Sequence, residues 1–132
     1  MADTRRTLTE ILALFADNST AQISAQDLRD FVVSVLMNHI TEVVDPAYEI
    51  AVDDVILHVS YTDTGVVAIT WPTAQITNGR IIDIKDAGGN SATNPITITP
   101  ESGTIEGAAS FDIDIDSASY TIYCYGGNLF IK

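Results

Sequence analysis

The chain has 132 residues, 46% of them hydrophobic, and a formal net charge of −12 from 6 Lys+Arg against 18 Asp+Glu. That length and apolar content suit one compact domain with a small appendage and exclude wholesale disorder. The acidic balance repels phosphate backbones and anionic bilayers, so nucleic acid and membrane surfaces are not expected partners. One cysteine, Cys124, excludes an internal disulfide framework or a thiolate metal site. No segment approaches the roughly 18 apolar residues of a membrane helix. Met1 to Arg6 has no apolar run behind it, so the expectation is cytoplasmic synthesis without a signal peptide.

Up to residue 45 the apolar periodicity is helical, and residues 1–45 are read as an N-terminal arm. Thr7 and Glu10 have capping-box spacing, with Leu8, Ile11, Leu12 and Phe15 at helical intervals, and Asp17 to Thr20 ends this first helix. A second helix starts at Ser24, a good N-cap, with Ile23 and Leu28 placed as a hydrophobic staple. Leu28, Phe31, Val32, Val35 and Leu36 recur at i, i+3, i+4, i+7 and i+8, one apolar stripe. Two short helices cannot bury such faces alone, so the stripe is a candidate attachment or oligomer surface.

Residues 46–132 read as a β-domain. Val55–Tyr61, Val66–Trp71, Arg80–Lys85, Ile96–Thr99, Phe111–Ile115, Tyr120–Tyr125 and Leu129–Ile131 are rich in β-branched and aromatic residues. Between them stand turn signals such as Asn78-Gly79, Gly88-Gly89-Asn90, Ser102-Gly103 and Gly126-Gly127-Asn128. Ile82 to Asp86, Ile96 to Thr99 and Phe111 to Asp116 alternate apolar with polar residues, giving each segment one dry face. Strands at this spacing with no helices between them predict a mainly β fold, an antiparallel sandwich or barrel-like domain.

Residues able to carry chemistry are few. His39, at a predicted helix end, reads as a capping or surface group, and His58 as a cross-strand or interface contact. Neither has a nucleophile in a recognisable motif, so no catalytic residue and no cofactor is expected. Asp112, Asp114 and Asp116 resemble a calcium ladder, but Ser117 and Tyr123 stand where an EF-hand requires Gly and Glu. On a strand they form a solvated row that discourages edge pairing, or else hold a cation at a subunit interface. Asp86 to Asn90 joins strand to strand and lacks the lysine of a phosphate loop, so its glycines serve a turn. Trp71, before Pro72 at a strand end, reads as core or interface packing, or else as an exposed platform for a sugar or protein partner.

The order of segments resembles a family. Ile11 to Asn18 followed by Ile23 to Ser34 is similar to the N-terminal portion of tailed-bacteriophage virion surface proteins of the head-decoration, head-spike and short tail-fibre type. Gly79 to Asn90, Asn94 to Thr99, Ile105 to Gly107 and Tyr125 to Phe130 resemble the β-module that follows in them. The resemblance implies a homotrimer located on the virion, with no catalytic residues to transfer. It implies attachment through the arm to the major capsid protein or another virion protein, with a host surface glycan as a further partner. Larger fibres continue into a receptor-binding or sugar-cleaving region after this module. Ending at Lys132 therefore favours a capsid decoration, cement or head-spike role over a tail fibre or baseplate adaptor. A carbohydrate-binding module is the alternative from another class, resting on the β-architecture and Trp71, and a glycan-degrading enzyme is a more distant one.

Overall fold

A computed structural model describes Glu10, residues 24–36 and residues 39–132, with the side chains at 25, 26 and 33–36 not described. The chain divides into two compact units, residues 1–39 and residues 40–132. The first expected helix and the Ile23 half of the staple lie outside the described residues. The second expected helix is present as α1, Ala25–Leu36. Its start follows from Ser24. The Asp27 amide donates to Ser24 Oγ at 3.1 Å, while Ser24 N donates back to Asp27 Oδ2 at 2.9 Å. Asp27 thus does the work of the usual Glu in a capping box and satisfies two otherwise unpaired amides.

The second unit is mainly β and contains nine strands. They are β1 (Ile40–Val43), β2 (Ala47–Glu49), β3 (Ile56–Val59), β4 (Val67–Trp71), β5 (Ile81–Asp86), β6 (Ile96–Pro100), β7 (Phe111–Ile113), β8 (Ser119–Tyr125) and β9 (Asn128–Ile131). Two mixed sheets result, one ordered β1-β3-β5-β8-β9 and the other β2-β4-β6-β7. Successive strands up to β6 alternate between the sheets, so β1–β2, β3–β4 and β5–β6 form three stacked rungs. Neighbouring rungs pair in parallel, with Leu57 beside Ile84 in one sheet and Ile69 beside Ile98 in the other. Antiparallel pairing between strands is confined to β5–β8, β6–β7 and β8–β9.

This departs from the all-antiparallel expectation, and the reason is physical. Parallel pairing needs a long crossover, usually supplied by a helix. Here a strand of the opposite sheet supplies it. The absence of helices between strands therefore did not bear on strand direction. The β-structure also begins at Ile40, ahead of the boundary expected at residue 46, because Ile40–Val43 and Ala47–Glu49 form the first rung.

Alternation along each strand sends one set of side chains into a single core cluster fed by both sheets. Leu57, Ile82, Ile84 and Ile122 contribute from the larger sheet, and Ile69, Trp71, Ile98 and Ile113 from the smaller. Parallel register stacks Ile69 on Ile98 and Val67 on Ile96, and the antiparallel β6–β7 pair sets Ile96 beside Ile113. Each such side chain contributes about 1.5–3 kcal/mol on burial.

One glycine is fixed by the packing of turns. Gly103 has φ +73°, and a Cβ there would lie 2.1 Å from the carbonyl oxygen of Gly127 in the β8–β9 turn. The same junction is tied by Asn128 Oδ1, which accepts from the Thr104 amide at 2.9 Å and from its hydroxyl at 3.0 Å. The Ser102-Gly103 and Gly126-Gly127-Asn128 signals are thus two halves of one contact.

Candidate functional site

The outer face of the larger sheet carries the most distinctive surface of the second unit. Along β8 the alternation turns Ile122 and Cys124 inward and Tyr123 and Tyr125 outward. Residues directly opposite in an antiparallel pair share a face. Ile81 therefore stands beside Tyr123, and Tyr123 beside Phe130. The Tyr123 and Phe130 rings stack with centroids 5.5 Å apart and 28° between their planes. Ile81, Tyr123 and Tyr125 are 52%, 37% and 67% exposed. The result is a rigid, outward row of large apolar side chains on three adjacent strands.

The backbone beside this row is already satisfied. Leu129 N donates to Thr104 O, Glu106 N donates to Leu129 O, and Ile131 N donates to Glu106 Oε1 at 2.7 Å. Residues 104–106 thereby cover the edge of β9 that an incoming strand would otherwise use.

Arg80 and the buried Asp86 fasten the two ends of β5, the middle strand of this sheet, and the buried Asp54 carboxylate ties the segment that Arg80 grips to β1 and β2. At the start, Arg80 donates from its guanidinium to the carbonyls of Val52 (2.6 Å), Ala51 (2.8 Å) and Asp54 (2.9 Å). Burial lowers the Arg80 pKa, and the nearby Asp54, Cys124 and Asp53 oppose that shift. The Asp54 carboxylate, 1% exposed, accepts from Thr41 Oγ1, from Tyr48 Oη at 2.8 Å and from the Ala51 amide at 2.7 Å. Burial and the Asp54 hydrogen bond push the Tyr48 hydroxyl up to about 12.

At the far end, Asp86 is 2% exposed and accepts from the amides of Gly89 (2.9 Å), Ser91 (3.0 Å) and Ser117 (2.9 Å). Burial alone would raise its pKa, but the Ser117, Ser91 and Gly89 amides, together with the Ser91 side chain, outweigh burial and hold it below the usual carboxylate range. The Gly-rich segment after β5 is therefore a turn organised by Asp86, as its composition indicates.

The remaining residues singled out from the sequence fall as follows. On α1, Leu28 and Val32 are exposed and Phe31 is half-buried. Val35 and Leu36 belong to the same helix, with side chains outside the described set. Trp71 takes the core role among those expected of it, and this corrects the exposed platform and the interface position. It is fully buried, with Nε1 donating to Gln75 O at 3.1 Å, because the short 3-10 turn Thr73–Gln75 folds back after Pro72. No surface of Trp71 is left for a sugar or a neighbouring subunit.

The row of three carboxylates is also interrupted. Strand β7 ends at Ile113, so Asp112 alone lies on it and accepts from Thr97 Oγ1 at 2.7 Å. Asp116 sits in the following turn and accepts from the Ala92 amide at 2.8 Å. Cys124 is buried, and that burial raises its pKa. His58 is exposed on β3 between Glu42 and Lys85 on the neighbouring strands. Together with Ile40 and Glu42 it lines a depression of about 330 Å³.

Tyr123, Tyr125 and Phe130 are legible in the sequence only as members of the aromatic set. The signal that separates them is the alternation Tyr-Thr-Ile-Tyr-Cys-Tyr from Tyr120 to Tyr125, which places Tyr123 and Tyr125 opposite Ile122 and Cys124. No protein-family model matches the chain, and no curated protein matches it either.

Proposed function

We propose that this chain is a non-enzymatic structural protein of a tailed-phage virion, a homotrimeric capsid decoration, cement or head-spike protein. A tail-fibre or baseplate adaptor is the nearest variant of the same role. The observation that carries the reading is the outward row of Ile81, Tyr123, Tyr125 and Phe130 on a rigid sheet. Large exposed aromatic residues on a fixed scaffold suit association with other protein surfaces. Three of the titratable groups serve the fold: Asp54 and Asp86 hold turns, and Cys124 is buried with its thiol pKa raised.

In this reading the two sheets pack as a sandwich. A helical arm within residues 1–45 offers Leu28, Phe31, Val32, Val35 and Leu36 to a capsid protein, another virion protein or sister arms. Many weak copies on one particle then hold by avidity. Particle labelling tests the reading. Antibodies raised against the purified chain should decorate tailed particles purified on a density gradient from the source culture after prophage induction. Antigen that stays wholly in the particle-free fractions would sink the assignment.

A further inference from the structure

The reading above leaves open which surface brings copies together. We propose that the outer face of β5, β8 and β9, centred on Tyr123, is where one copy of this chain meets another. The inference rests on the proposed assembly and adds the surface.

Charge selects both the place and the occupant. Two copies each carrying −12 repel, so their contact is best placed where carboxylates are sparsest. Asp83 is the one carboxylate among the outward positions of these three strands, and it already accepts a hydrogen bond from Thr121 Oγ1. Lys85 shares the face and Lys132 follows its last strand, so two of the chain's six cations lie here. The outer face of the smaller sheet presents Glu49 and Asp112 beside alanine and threonine, and offers neither aromatic bulk nor relief from repulsion.

The covered edge of β9 sets the geometry. With residues 104–106 already bonded to Leu129 and Ile131, a second copy cannot extend the sheet there and must lie face to face. Interface centres favour Tyr and Phe and exclude charge, as this row does. Because the opposing force is like-charge repulsion, added salt should tighten the contact. A basic partner protein on the same face would show the reverse.

The experiment measures solution mass by light scattering, at low and high salt, for the wild type, Tyr123→Glu, Tyr125→Glu and Thr99→Glu. Thr99 is exposed on the outer face of the smaller sheet and controls for added charge. The expected result is a multimeric wild type that tightens with salt and an unchanged Thr99→Glu. Tyr123→Glu should weaken association about tenfold or more, which is about 1.4 kcal/mol. Tyr125, the most exposed of the row, keeps the test decisive should Tyr123→Glu fail to fold. A multimer that survives both tyrosine substitutions places the contact elsewhere and overturns this proposal while leaving assembly intact. A monomeric wild type overturns the copy-to-copy contact outright, and particle labelling then decides the virion reading independently.

Discussion

Asp54 and Asp86 are both almost fully buried and both accept three hydrogen bonds, Asp54 between β1, β2 and the turn at Ala51, and Asp86 at the end of β5. They differ in what holds them. Asp54 is held by two hydroxyls and one amide, Asp86 by three amides. Hydroxyls rotate and can find another acceptor when the carboxylate is removed. Amides in a tight turn cannot, and a buried amide without a partner carries its full desolvation cost. A carboxylate held by backbone is therefore part of the chain's path, whereas one held by side chains is a fastening between pieces already in place.

Substitution breaks or sharpens that contrast. The largest effect is expected for Asp86→Ala, which leaves the Gly89, Ser91 and Ser117 amides unpaired. The loss should be about 3 kcal/mol or more, read by chemical denaturation. Acid should reproduce part of it. The folded pKa of Asp86 lies below its unfolded value, so its contribution is present above the unfolded pKa, about 3.9. It is lost as pH falls through the folded one. Asp86→Asn should flatten that acid limb, and an acid limb unchanged in Asp86→Asn would contradict the assignment.

A smaller loss is expected for Asp54→Ala, about 2 kcal/mol, because Thr41 and Tyr48 can re-pair while the Ala51 amide cannot. Equal losses at the two sites would erase the distinction between backbone and side-chain holding.

The smallest effect is expected for Tyr48→Phe, about 1 kcal/mol at neutral pH for one lost hydrogen bond. Its sign with pH is opposite to that of Asp86. The Tyr48 hydroxyl is raised to about 12 in the fold, so its contribution is complete below the unfolded value near 10. It drains away as pH rises towards 12. A melt series from neutral to alkaline pH should show this decline in the wild type and its loss in Tyr48→Phe.

The same split between local and non-local causes decides how much the sequence revealed. Strands β3 to β9 were readable because Ile82-Asp-Ile-Lys-Asp86 and its counterparts alternate and because Gly and Asn punctuate them. Strands β1 and β2 were not, since four and three residues around Asp45-Pro46 give too short a pattern for alternation to stand out. Within the candidate surface, Tyr123 and Tyr125 could be assigned opposite Ile122 and Cys124 from alternation. That Ile81 and Phe130 complete the row depends on which strands flank β8. Trp71 shows the converse. Its place beside Pro72 suggests an open strand end, and only the turn that brings Gln75 back over the indole encloses it.

The amino-acid order by itself determined the types of α1 and of β3 to β9, most turn positions, the acidic balance and the inward or outward sense of most residues in those strands. All of these follow from interactions within a few residues along the backbone or from composition. Tertiary structure alone decided that partners among β1 to β6 lie two strands apart and run parallel, that Arg80 and Asp86 fasten opposite ends of one strand, and that four separated apolar residues share one face. Those outcomes depend on which segments meet, and the free energy that chooses among meetings comes from the common core rather than from any one stretch of chain.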